Sequence, residues 1–68
     1  MPVNKAPLSK YPQPGDVYES RLYPGQTCRV VSVHHAQVTF EWLGRYAHIA
    51  QQIAAVNRFV VDFVLAEG

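Results

Sequence analysis

The 68-residue chain has one cysteine, Cys28. A single thiol excludes an internal disulfide, and it excludes the usual thiolate zinc sites, which draw on two or more cysteines. Long apolar runs are also missing. The most apolar stretch, FVVDFVLA from Phe59 to Ala66, is interrupted by Asp62 and is far too short to span a bilayer. The first fifteen residues, MPVNKAPLSKYPQPG, have no apolar centre and so do not read as a secretory leader. With the lone thiol, which fits a reducing compartment, the expectation is a soluble cytoplasmic protein with no membrane partner.

Charge of one sign is scarce as well. The net charge is +1. It divides into +2 from Lys5 and Lys10 in residues 1–15 and −1 beyond, where Arg21, Arg29, Arg45 and Arg58 meet Asp16, Glu19, Glu41, Asp62 and Glu67. The strong basic footprint of a polyanion binder is therefore absent. Four arginines gathered on one face would still serve, and a nucleic-acid-binding barrel using them is kept as an alternative. Other absences bear on catalysis. There is no glycine-rich phosphate loop, no serine-nucleophile motif and no carboxylate pair. No catalytic residue, metal or cofactor is assigned, although a small oligomeric enzyme with a shared pocket remains a further alternative.

What is present is a strand pattern. Pro2, Pro7, Pro12 and Pro14 crowd the start, and proline fixes φ and lacks a donor, so residues 1–14 read as a flexible arm. Residues 15–68 read as one small domain. Asp16–Tyr23 lies between two Pro-Gly pairs, Pro14-Gly15 and Pro24-Gly25, which are turn signals. Thr27–Val33 is rich in β-branched residues. Gln37–Trp42 alternates, with Val38, Phe40 and Trp42 on one face and Gln37, Thr39 and Glu41 on the other, the mark of a half-buried strand. VHHAQV joins the two strands, Gly44 in WLGRY supplies a turn, and Arg45–Ile49 can form a fourth strand. A domain this short buries only about 60% of its unfolded surface, and with disulfide and thiolate zinc excluded its stability is expected from an efficient small core or from oligomerisation.

The last third has two solutions. Ile49, Ile53, Val56, Val60 and Phe63 recur at helical spacing. FVVDFVL, in contrast, is β-branched and aromatic, which favours a strand. One solution is a single long helix across the sheet, giving a β-meander plus helix (α+β). The preferred one is a helical turn around Ala54–Arg58 followed by a last strand near Val60–Leu65 that closes a small barrel.

Strand, Pro-Gly turn, two strands, glycine turn, helical turn and final strand together resemble an SH3-like barrel. The resemblance covers about Gly15 to Leu65 and is one of pattern. It extends to small phage- and prophage-encoded proteins with this barrel, whose last segment carries two phenylalanines four apart, as Phe59 and Phe63 are here. The stretch IAAVNRF is more distantly similar to the end of the plasmid-borne type II dihydrofolate reductases. Their catalytic Val-Gln-Ile-Tyr falls at His48–Gln51, which reads HIAQ, so that activity is not carried over.

Among candidate sites, His34 and His35 are neighbours that would point to opposite faces of a strand, with His48 farther along. Cys28 beside Arg29 is open to activation by a nearby cation, or behaves as a small buried hydrophobe. The aromatic residues Tyr11, Tyr18, Tyr23, Trp42 and Tyr46, with Arg21, Arg45 and Arg58, are the residue types that dominate binding hot spots. From these the binding set is Tyr18, Arg21, Tyr23, Trp42, Arg45, Tyr46 and Arg58. The resemblance to SH3-like barrels implies an exposed aromatic groove for proline-rich or other peptides. The alternation instead assigns Phe40, and Trp42 with it, to the interior. The C-terminal run offers apolar side chains in both strand phases, and Val61, Phe63 and Leu65 are expected to meet a second copy. The functional expectation is a non-catalytic small binding module that works through protein contacts, with phage or mobile-element cargo as its expected setting.

Overall fold

The computed structural model describes residues 11–66. Five strands form one open antiparallel sheet in the order β4-β3-β2-β1-β5. They are β1 (Val17–Ser20), β2 (Thr27–His34), β3 (Gln37–Trp42), β4 (Gln52–Ala55) and β5 (Phe63–Leu65), with helix α1 (Val56–Asp62) between the last two. The chain is mainly β, with a short helix before the final strand, as the preferred sequence reading has it. Closure into an SH3-like barrel is not confirmed, because β4 and β5 stand at the two edges of the sheet. Most of the expected arm, residues 1–10, lies outside the described residues. Of its last residues, Pro12 is fully buried.

Register explains the core. Tyr18 faces Cys28, Cys28 faces Trp42, Val30 faces Phe40 and Val33 faces Val38. Side chains alternate across a strand, so these residues share one face of the sheet. Val31 is the extra residue at a bulge between Val30 and Ser32, and it turns outward. Over the inner face lie Phe59 and Phe63, stacked at 4.4 Å between centroids. Phe40 is 5.3 Å from each of them, and Tyr18 meets Phe59 edge-on at 4.9 Å. Such pairs add about 0.5–1.5 kcal/mol beyond the area they bury.

The two-residue link between β2 and β3 is His35-Ala36, with φ of 53° and 61°. Two successive positive φ values are those of a type I′ hairpin turn, whose twist matches the flanking strands. The turn also corrects the expectation for the histidines. His35 is not extended, so it does not point away from His34, and the two rings lie 4.1 Å apart.

The fourth strand is not at Arg45–Ile49. Gly44–Tyr46 forms a 3-10 turn, and β4 begins only at Gln52. Gly44 has φ +64°, a conformation that starts the turn and takes the chain out of the sheet plane. The helix also falls later than Ala54–Arg58. No side chain caps it, and its valines are modest helix formers. What holds it is packing, since Phe59 is fully buried and α1 lies against β3, β4 and β5. An Arg58–Asp62 ion pair at 3.1 Å adds only about 0.3–0.5 kcal/mol. Ile53, which the helical spacing placed on an apolar stripe, is 65% exposed on edge strand β4.

Candidate binding groove

Two connections at one end of the sheet form the walls of an open groove of about 430 Å³. The first wall is the β1–β2 loop. Tyr23-Pro24-Gly25-Gln26 is a tight turn closed by the Gln26 N–H donating to the Tyr23 carbonyl at 3.0 Å. Proline in its second position and Gly25 at φ +89° in its third are the requirements of a type II turn. Ser20, buried in the strand before it, accepts on its hydroxyl oxygen from the N–H groups of Leu22 at 3.1 Å and Tyr23 at 3.0 Å. The Glu19 carboxylate accepts from the Gly25 N–H at 2.9 Å. Through these bonds two side chains of β1 fix the loop that carries Tyr23.

The second wall is the β3–β4 connection. The Leu43 N–H donates to the Thr27 carbonyl at 2.9 Å, and the Ile49 N–H to that of Tyr46 at 3.0 Å. His48 Nδ1, in the tautomer protonated there, donates to the Arg45 carbonyl at 3.1 Å. Tyr46 and Ile49 pack against the core, so this wall is anchored from below.

Of the binding set read from the sequence, Tyr23, Arg45 and Tyr46 line this groove together, with Pro24, Gln26 and Leu43 between them. Tyr23 is 60% exposed and its neighbour Leu22 66%, so the rim presents apolar surface to solvent. Among the described residues no acidic side chain lines the groove. Among the described residues Arg45 has no carboxylate partner, whereas Arg29 is paired with Glu41 at 3.2 Å and Arg58 with Asp62. Arg21 is exposed and is not part of the lining.

Two members of the set are core residues instead. Tyr18 is 3% and Trp42 8% exposed, because the alternation of β1 and β3 turns them to the inner face, where they offer a partner no contact area. The interface set divides in the same way. Phe63 is buried against Phe59 and Trp42, Leu65 is half-buried, and Val61 alone is well exposed. Sequence reasoning missed the loop residues Pro24 and Leu43 as groove lining. The Pro-Gly signal marked the turn, but nothing local places it opposite Leu43.

Cys28 is fully buried at the centre of the inner face. Burial pushes its thiol up to about 12, against a weaker opposing effect of a backbone hydrogen bond at Tyr18. The adjacent Arg29 does not activate it, since successive strand residues point to opposite faces and Arg29 is engaged by Glu41. Among the described residues no group of three or more His, Cys, Asp or Glu side chains is placed to hold a metal ion, and no helix is long and apolar enough to cross a membrane.

Fold and groove together define the class: a small mainly β domain with an open groove between two turns. Compared with known protein families, characterised proteins and solved structures, the chain matches none.

Proposed function

We propose that the chain is a non-catalytic binding module that holds an extended segment of a protein partner between the Tyr23–Gln26 turn and the Leu43–Tyr46 connection. The observation that carries this reading is convergence. Tyr23 is remote in sequence from the adjacent pair Arg45 and Tyr46, and the three line one groove. Both walls are hydrogen-bonded to the sheet before any partner arrives, which lowers the ordering cost of binding. Rigid tyrosine rings and an adjacent proline accept apolar or proline side chains. Arg45, a planar cation without an acid, adds a site for a carboxylate. The partner segment is therefore one with an apolar or proline residue beside an aspartate or glutamate. The resemblance to phage- and prophage-encoded proteins says where to look for it.

The test is a peptide array that pairs each apolar or proline-containing segment with and without an acidic residue. The acidic members are expected to bind. Tyr23→Ala or Arg45→Ala should weaken them by about 2 kcal/mol, roughly 30-fold. Binding that ignores both substitutions, or an array with no acidic preference, rejects the reading. Tight binding of duplex or single-stranded nucleic acid that falls steeply with salt would replace it with the polyanion alternative.

A further inference from the structure

We propose that β4 is a pairing edge for a second copy of the chain, which adds antiparallel to it about a two-fold axis through Ile53. This inference is independent of the groove. It starts from the hydrogen-bond parity of the strand. β4 closes one end of the sheet, and its register with β3 sets Gln37 opposite Ala55 and Thr39 opposite Ile53. One step farther along, the Val56 N–H donates to the Ala36 carbonyl at 2.9 Å. In an antiparallel ladder, bonded and non-bonded pairs alternate. Ala54 and Gln52 therefore exchange bonds with Val38 and Phe40, while Ile53 and Ala55 direct their backbone groups away from β3.

Those outward groups, together with the exposed Ile53 side chain, favour one arrangement. Ala55 is the N-cap of α1, and an N-cap carbonyl is taken by the first intrahelical bond. The N–H and C=O of Ile53 and the N–H of Ala55 remain. A second β4 with Ile53 facing Ile53 uses all three on each chain. The two Ile53 residues exchange a reciprocal pair of bonds, and each Ala55 N–H donates to the carbonyl of Gln51 of the other copy. Shifting the register to face Ile53 with Ala55 would instead call on the Ala55 carbonyl that the helix holds.

Side chains agree with this register. Ile53 is 65% exposed and lies opposite Thr39, on the face away from the core, so the two-fold axis sets isoleucine against isoleucine. Apolar cross-strand pairs of this kind stabilise a ladder. Edge strands that must stay single carry lysine, proline or an inward charge, and QIAA has none of these. The opposite edge is a poorer template. β5 has three residues, and its Phe63 N–H already donates to the Phe59 carbonyl.

Sedimentation at high micromolar concentration tests the pairing. The wild-type mass is expected to rise above 7.7 kDa towards twice that value. Ile53→Lys sets like charges across the axis. Ile53→Pro removes an outward N–H without touching the β3–β4 ladder. Both should remain monomeric, with association weakened at least ten-fold. Ile53→Cys should form an intermolecular disulfide under mild oxidation, because a bonded antiparallel pair has Cα atoms about 5.5 Å apart; Val61→Cys, also exposed, should not. Circular dichroism identifies any variant that fails to fold, and the cysteine pair then carries the decision. A monomeric wild type, dimers that persist in folded Ile53→Lys, or equal cross-linking at Val61→Cys overturns the proposal.

Discussion

Cys28 shows how position in a strand decides the chemistry of a side chain. In sequence it stands beside Arg29, an arrangement that can activate a thiol, yet the fold separates the two across the sheet. Buried, with its thiol pushed up to about 12, it is expected to resist iodoacetamide at mildly alkaline pH and to react only as fast as the chain unfolds. Rapid stoichiometric labelling of the native protein would contradict its placement. The same shift has a consequence for stability. Above the ordinary thiol value of 9.0 the unfolded chain releases this proton and the folded chain keeps it. Stability therefore falls as pH rises from about 9 towards about 12, by up to about 1.4 kcal/mol per pH unit. Tyr18, raised first by burial and then by the charges of Asp16 and Cys28, adds to the upper part of that fall. Urea unfolding across the range should show a shallower slope in Cys28→Ala, and an unchanged slope would exclude the thiol as its source.

At the scale of the element, the β2–β3 hairpin is held despite its turn residues. Ala36 at φ 61° occupies a left-handed conformation that costs an ordinary L-residue about 1–2 kcal/mol. Glycine bears no such cost, so Ala36→Gly is expected to stabilise the protein by about 1 kcal/mol in chemical denaturation, part of the gain being lost to the freer unfolded chain. Destabilisation would show that the Ala36 methyl makes a contact outweighing the strain. The neighbouring exposed histidine rings are brought together by that same backbone. Helix α1 is the opposite case. Its seven residues have little intrinsic reason to be helical, and it forms because Phe59 packs onto the inner face of the sheet and stacks on Phe63, the first residue of β5. The two loops of the groove follow a third logic, in which Ser20 and Glu19 supply the hydrogen bonds that a Pro-Gly turn leaves unmet.

For the whole molecule, one cluster of rings joins the helix to three of the strands. Phe59 is fully buried and touches Tyr18, Phe40 and Phe63, so it ties α1 to β1, β3 and β5 together. Phe59→Ala should cost about 3–5 kcal/mol, a large share of the 5–15 kcal/mol typical of native domains. Thermal unfolding should show Tm lower by roughly 12 °C or more, or no cooperative transition at all. Val61→Ala, on the exposed side of the same helix, should stay within about 0.5 kcal/mol of the wild type. Equal effects of the two would mean that α1 packs by another face. Among the described residues the β4 edge and the groove are open to solvent, and these are the two places where partners are proposed.

The strands β2 and β3, the Pro-Gly turns and the mainly β class were legible in the sequence, because alternation and turn chemistry are local properties. Gln37–Trp42 carries its own inside and outside, and Gly25 needs no distant residue to take positive φ. Tertiary structure alone decided the rest. Residues 56–62 satisfy helix and strand patterns alike, and only the space above Phe40 and Tyr18 chooses between them. The same holds for Tyr18, Trp42 and Phe63, whose residue type marks them equally for a core or a binding surface. Which aromatics face solvent depends on which side of the sheet the helix covers, and that is settled by contacts between segments remote in sequence.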